Sequence, residues 1–110
     1  MRVYLIDGLQ LNDYNKLKNY LDNHLESSPL GGIYWLKLDK DILTDIQKEH
    51  VDCYPHVFAL MLGEPSLSSE FLVRIKKKIQ CDCMGCATKD QRSWLMDQVD
   101  AIFEKLEIHF

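Results

Sequence analysis

Three of the four cysteines of this chain lie within six residues, in the stretch CDCMGC of residues 81–86. The fourth, Cys53, is followed three residues later by His56 in the stretch CYPH. Thiolate and imidazole groups are ligands that zinc prefers, and the spacing Cys83-x-x-Cys86 would let one turn present two sulfur atoms to one ion. One hypothesis is therefore a zinc-type site built from Cys53, His56, Cys83 and Cys86.

The same cysteines could instead carry out thiol redox chemistry. Cys86 lies two residues before Thr88, which we predict to be the N-cap of the last helix, and the dipole of a helix N-terminus stabilises a thiolate. In this hypothesis Cys86 is the nucleophile and Cys83 is its resolving partner. Redox motifs of the thioredoxin type, however, follow an early strand and open a helix directly, whereas this motif follows a late strand.

Packing offers a third interpretation of the cysteines, and the sequence favours it. In the stretch FLVRIKKKIQCDC of residues 71–83, apolar residues occupy most odd positions and polar residues occupy most even ones. This alternation predicts a strand with one buried face, and free cysteine behaves as a small hydrophobe. We therefore expect Cys81 and Cys83 to be buried on that face.

The polar face of the same predicted strand carries Arg74, Lys76 and Lys78. These three cations could bind an anion or an acidic partner. The simpler interpretation, which we favour, is a solvated strand face whose lysines discourage pairing with the edge of another sheet.

The order of helical and strand patterns along the chain predicts an α+β fold. We expect the order β-α-β-(short α)-β-β-α, in a two-layer sandwich whose four-stranded mixed sheet carries the helices on one face. The first helix would begin with Asn12 or Asp13 as its N-cap. The apolar run HVFALML of residues 56–62 predicts an inner strand that is buried on both faces.

Two local motifs predict where the later helices begin. Thr44 is followed three residues on by Gln47, and Thr88 is followed three residues on by Gln91. Each pair matches the capping box, in which the two side chains bond reciprocally to the backbone of the first helical turn. The sequence therefore predicts helix starts after Thr44 and after Thr88.

Composition and charge argue against several classes of protein. A formal net charge of -4 disfavours general binding to nucleic acid or to anionic membranes, because neutralising many phosphates needs a cationic surface. No apolar run approaches the roughly 18 residues of a membrane span, and Asp7 comes too early for a secretion signal. We therefore expect one cytoplasmic α+β domain over residues 1–110, with its cysteines present as thiols or ligands.

These observations favour a non-catalytic domain that binds another protein or itself and has no cofactor. The last helix is rich in apolar residues, and Ile108 and Phe110 follow it with nothing beyond to cover them. A homodimer through the last helix is the simplest arrangement that would bury them. The alternative is a metal-binding or thiol-redox protein that uses Cys53, His56 and the cysteines of residues 81–86, with zinc as the cofactor.

Overall fold

The computed structural model describes residues 3–76 and 81–109. Within these ranges the chain forms three α-helices: α1 (Leu11–His24), α2 (Asp45–Glu49) and α3 (Lys89–Lys105). The same ranges contain seven strands: β1 (Val3–Ile6), β2 (Glu26–Ser27), β3 (Ile33–Lys37), β4 (His56–Gly63), β5 (Ser66–Glu70), β6 (Leu72–Ile75) and β7 (Gly85–Cys86). Two 3₁₀ turns, Lys40–Ile42 and Val51–Cys53, flank α2.

The strands form one antiparallel sheet. Its main order is β1-β5-β4-β3-β2, while β6 pairs with the first half of β4 and with β7. Strand β4 is therefore central, and its residues from His56 to Leu60 are all buried. The prediction of a buried inner strand from the run HVFALML is confirmed.

The prediction of a four-stranded mixed sheet is wrong, although the α+β class is confirmed. The described part of the sheet has seven strands, and every pairing within it is antiparallel. Strand β1 pairs with β5 and not with β3, so α1 does not connect two parallel neighbours. Strands β2 and β7 have only two residues each, which is too short to leave a periodic pattern in the sequence.

The predicted strand over residues 71–83 is also wrong in its extent. The chain bends at Phe71, and β6 covers only Leu72–Ile75. Residues 77–80 lie outside the described ranges, and the chain then makes a turn in which the Met84 amide donates to the Cys81 carbonyl at 3.0 Å. The cysteines at 81 and 83 therefore lie on a turn rather than on a strand face.

The helix starts follow local sequence signals in two of three cases. Both predicted capping boxes are present, at Thr44 of α2 and at Thr88 of α3. Helix α1 departs from the prediction, because it begins at Leu11 with Gln10 as the N-cap and no capping side chain. Burial of Leu17 and Leu21, rather than a cap, holds this helix in place.

Helices α1 and α3 pack on the same face of the sheet. The Tyr34 hydroxyl donates to Asp22 of α1 at 2.5 Å, and the Tyr4 hydroxyl donates to Asp100 of α3 at 2.5 Å. The main core lies between these two helices and the sheet, and it contains Phe58 of β4. None of the helices in the described ranges is long and apolar enough to cross a membrane.

Candidate metal centre

Four potential metal ligands converge beyond the end of the sheet where β4 begins and β6 ends. They are His50, Cys53, Cys81 and Cys83, and their ligand atoms all lie within 4.8 Å of one another. Cys53 and Cys83 are 2% and 3% exposed and pack with Ile75 in a small second core, whereas Cys81 is half-buried at its edge. The cluster is thus a protected group of three thiols and one imidazole.

The first pair of these side chains is brought together by local backbone geometry. His50 is the last residue of the α2 region and the N-cap of the 3₁₀ turn Val51–Cys53. The Cys53 amide donates to the His50 carbonyl at 3.0 Å. A 3₁₀ turn has three residues per turn, so residues i and i+3 lie above one another on the same side. His50 and Cys53 therefore face the same point.

The second pair comes from the turn that begins at Cys81. Asp82 and Cys83 form this turn. The turn brings the sulfurs of Cys81 and Cys83 within 4.8 Å of each other and of the first pair. The Cys81 Sγ atom lies 3.6 Å from Cys53 Sγ and 3.1 Å from His50 Nδ1.

These separations suit a tetrahedral ion. With zinc–sulfur bonds of about 2.3 Å and zinc–nitrogen bonds of about 2.0 Å, the ligand atoms of a tetrahedral site lie roughly 3.5 to 3.8 Å apart. The observed 3.6 Å between two sulfurs already matches this value. The largest separation of 4.8 Å would need to shrink by about 1 Å.

The surroundings shift the pKa values of the Cys81 and Cys83 thiols in opposite directions. Hydrogen bonds from the backbone amide and then the thiol of Cys83 lower the pKa of Cys81. Burial raises the pKa of Cys83, and its hydrogen bond to Cys81 adds to that shift. The raised pKa of Cys83 means that ionising this buried thiol needs a compensating positive charge, such as a bound cation supplies.

A buried pair of glutamines holds the second turn in position. The Gln47 Nε2 group donates to the Cys83 carbonyl at 3.1 Å, and the Gln91 Nε2 group donates to Gln47 Oε1 at 2.9 Å. Both glutamines also complete the capping boxes of α2 and α3. The N-termini of these two helices are thus joined to each other and to the backbone of a candidate ligand.

The structure brings together two of the four residues predicted as metal ligands, Cys53 and Cys83. His56 points into the sheet core, fully buried, with neither ring nitrogen hydrogen-bonded, and burial followed by the charge of His50 lowers its pKa. Cys86 is exposed on β7, where it pairs with Leu72, and is not a member of the cluster.

His50 and Cys81 complete the cluster, and the predicted ligands His56 and Cys86 are not members of it. The available signal for His50 was its spacing of three residues from Cys53 at the end of a short helix. The alternation of residues 71–83 predicts Cys81 as a buried strand residue. Its place among the candidate ligands depends instead on the turn that follows it. The redox pair predicted from the sequence, Cys83 with Cys86, is divided between the buried cluster and the exposed strand β7.

Two of the three cations of the predicted basic patch form ion pairs with carboxylates of the same chain. Arg74 pairs with Glu70, and Lys76 pairs with Glu26. Lys78 lies outside the described residues. Arg74 lies on β6 and Lys76 follows its last residue, and both cations have carboxylate partners within the chain.

No protein family model matches this chain, and no curated protein or solved structure matches it.

Proposed function

We propose that the protein binds one zinc-type ion through His50, Cys53, Cys81 and Cys83. The observation that carries this proposal is the convergence of four ligand atoms within 4.8 Å. A set of three thiolates and one imidazole is typical of structural zinc sites, in which all four positions are filled by protein ligands. Soft thiolates disfavour calcium and magnesium, which prefer oxygen ligands.

The role of such an ion would be to cross-link two segments that are far apart along the chain. Cys53 and Cys81 are separated by 28 positions in the chain. The small core beside them contains Cys53, Ile75 and Cys83, with Cys81 and Met84 packed against it. A bound ion would therefore contribute directly to folding of this end of the molecule, as it does in other small metal-binding domains.

Metal analysis of the purified chain tests the proposal. We expect about one zinc per chain after reconstitution, and cobalt substitution should give the strong visible absorption of a tetrahedral thiolate site. Cys81→Ala should lower the stoichiometry towards zero, while Cys86→Ala should leave it near one. Equal loss of zinc in both variants, or no zinc in the wild-type chain, would contradict the proposal.

A second candidate function, association with a protein, is supported by the face of the sheet opposite the helices. Val3, Leu5 and Met61 are 45%, 54% and 39% exposed there. Leu5 of β1 and Met61 of β4 both pair with Ser68 of β5, so their side chains lie in one row across the sheet. Ile108 is buried in the core of its own chain, and Phe110 lies outside the described residues, so Ile108 gives no support to contact through the last helix.

Sedimentation of the full chain at micromolar concentration tests self-association. We expect a species heavier than the 12.9 kDa monomer, because a row of exposed apolar side chains favours burial against a second copy. Leu5→Lys should shift the protein towards monomer. The matched control Leu30→Lys changes a loop side chain that is 86% exposed and should leave the mass unchanged. A wild-type chain that sediments as a monomer would refute this candidate.

A further inference from the structure

We propose that Cys81 is a modification site for small uncharged hydroperoxides, and that its oxidation closes a disulfide with Cys53. This inference rests in part on the proposed metal site, because closing that bond would remove two of the four ligands. The geometry that carries it is an accessible sulfur backed by a second sulfur at 3.6 Å.

Accessibility distinguishes Cys81 from the other thiols of the cluster. Cys53 and Cys83 are 2% and 3% exposed, whereas Cys81 lines two surface cavities. One has a volume of about 650 Å³ and is lined by Leu72, Cys81, Asp82, Met84 and Gly85. The other, of about 300 Å³, is lined by Cys81 and by residues 49–53, which include Cys53. Small molecules can therefore reach Cys81 from two cavities, whereas Cys53 lines one of them and Cys83 lines neither.

The charges around the cavities select the kind of oxidant. Asp82 lies in the larger cavity, and Glu49 and Asp52 lie in the smaller one. These carboxylates repel anions such as glutathione disulfide. Apolar groups of Leu72 and Met84 in the larger cavity favour an alkyl group on the oxidant. These surroundings fit a neutral oxidant better than an anionic one, and an alkyl hydroperoxide is the neutral oxidant class of the proposal.

The reaction proceeds in two balanced steps. The Cys81 thiolate attacks the hydroperoxide ROOH, so that an S–O bond forms, the O–O bond breaks, and the alcohol ROH leaves with the proton released by the Cys81 thiol. The Cys53 thiol then attacks the sulfenic sulfur, so that an S–S bond forms, the S–O bond breaks, and water leaves with the Cys53 proton. Two thiols are oxidised, and one hydroperoxide is reduced.

The two sulfurs must approach by about 1.5 Å to reach the bond length of a disulfide. Closing this bond would leave His50 and Cys83 as the remaining ligands, and two ligands do not hold zinc in a structural site. Oxidation would therefore release the ion. A thiol reductant would restore both cysteines and the site.

Peptide mapping after treatment of the full chain with tert-butyl hydroperoxide tests the modification. We expect a Cys53–Cys81 disulfide as the main product, because the two Sγ atoms lie 3.6 Å apart, whereas the exposed Cys86 is not a member of the cluster. Glutathione disulfide at the same concentration should react much more slowly. A Cys81–Cys83 bond as the main product, or oxidation of Cys86 with no disulfide at Cys81, would overturn the inference.

Variants and metal release separate this inference from the proposed zinc site. With Cys83→Ser present as well, Cys53→Ser should leave a sulfenic acid at Cys81 that dimedone traps, because no other cluster thiol remains to attack it. Cys86→Ser should react like the wild-type chain. Zinc-loaded protein should release about one ion per disulfide to a chromogenic chelator. A disulfide formed by a chain that binds no zinc would refute the metal site alone. Zinc binding without a disulfide would refute this inference alone.

Discussion

Replacing Cys83 with alanine is expected to abolish the stabilisation of the fold by zinc. Cys83 is a buried candidate ligand whose backbone carbonyl is also held by Gln47. With free zinc at about 1,000 times its dissociation constant, a metal that binds only the folded chain adds about 4 kcal/mol to the free energy of unfolding. For a domain of this size that corresponds to roughly 15 °C in melting temperature.

Thermal melting with zinc and with a chelator measures this effect. The wild-type chain should melt about 15 °C lower in the chelator, whereas Cys83→Ala should melt at one temperature in both buffers. Cys86→Ala is the matched control, since Cys86 is exposed on β7, and it should keep the full difference. A zinc-dependent shift of the same size in Cys83→Ala would show that Cys83 is not a ligand.

Replacing Gln91 with alanine is expected to cost about 3 kcal/mol of the free energy of unfolding. Gln91 is fully buried, and its amide group bonds to the Thr88 backbone, the Ile42 carbonyl and Gln47. Its removal leaves these partners buried without a hydrogen bond and opens a cavity. Because Gln47 in turn holds Cys83, the loss would also loosen the metal-binding turn.

Chemical denaturation provides the measurement for Gln91→Ala. Gln98→Ala is a control in the same helix at a half-buried position, and it should change the free energy of unfolding by less than about 0.5 kcal/mol. Thr88→Ala removes one capping bond and should cost about 1 kcal/mol. If Gln91→Ala cost no more than Thr88→Ala, the buried glutamine bonds would contribute little beyond the helix cap.

The positions of the cysteines along the chain give little information about which of them lie close together in the fold. The sequence placed Cys53 and Cys83 among the candidate ligands on residue type, and the structure finds both in the cluster. It paired them with His56 and Cys86 because the Cys-x-x-Cys spacing is the more familiar metal motif. In the structure β7 takes Cys86 into a strand pair with Leu72, and β4 turns His56 into the core.

The amino-acid sequence by itself determined the features that arise from interactions over three or four residues. The capping boxes at Thr44 and Thr88 are of this kind, and the apolar run of residues 56–62 likewise indicates the inner strand, in which every residue of the run except Met61 is buried. These features depend on nearby backbone geometry or on hydrophobic content, and both are local properties of the chain.

Only the tertiary structure decided how these elements were combined. The pairing of β1 with β5, the pairing of β6 with the first half of β4, and the meeting of Cys53 with Cys81 across 28 positions all join distant segments. Such pairings are selected by the packing of the whole core and carry no periodic signal along the chain. The candidate metal site exists because the fold brings a 3₁₀ turn and a Cys-x-Cys turn to the same end of the sheet.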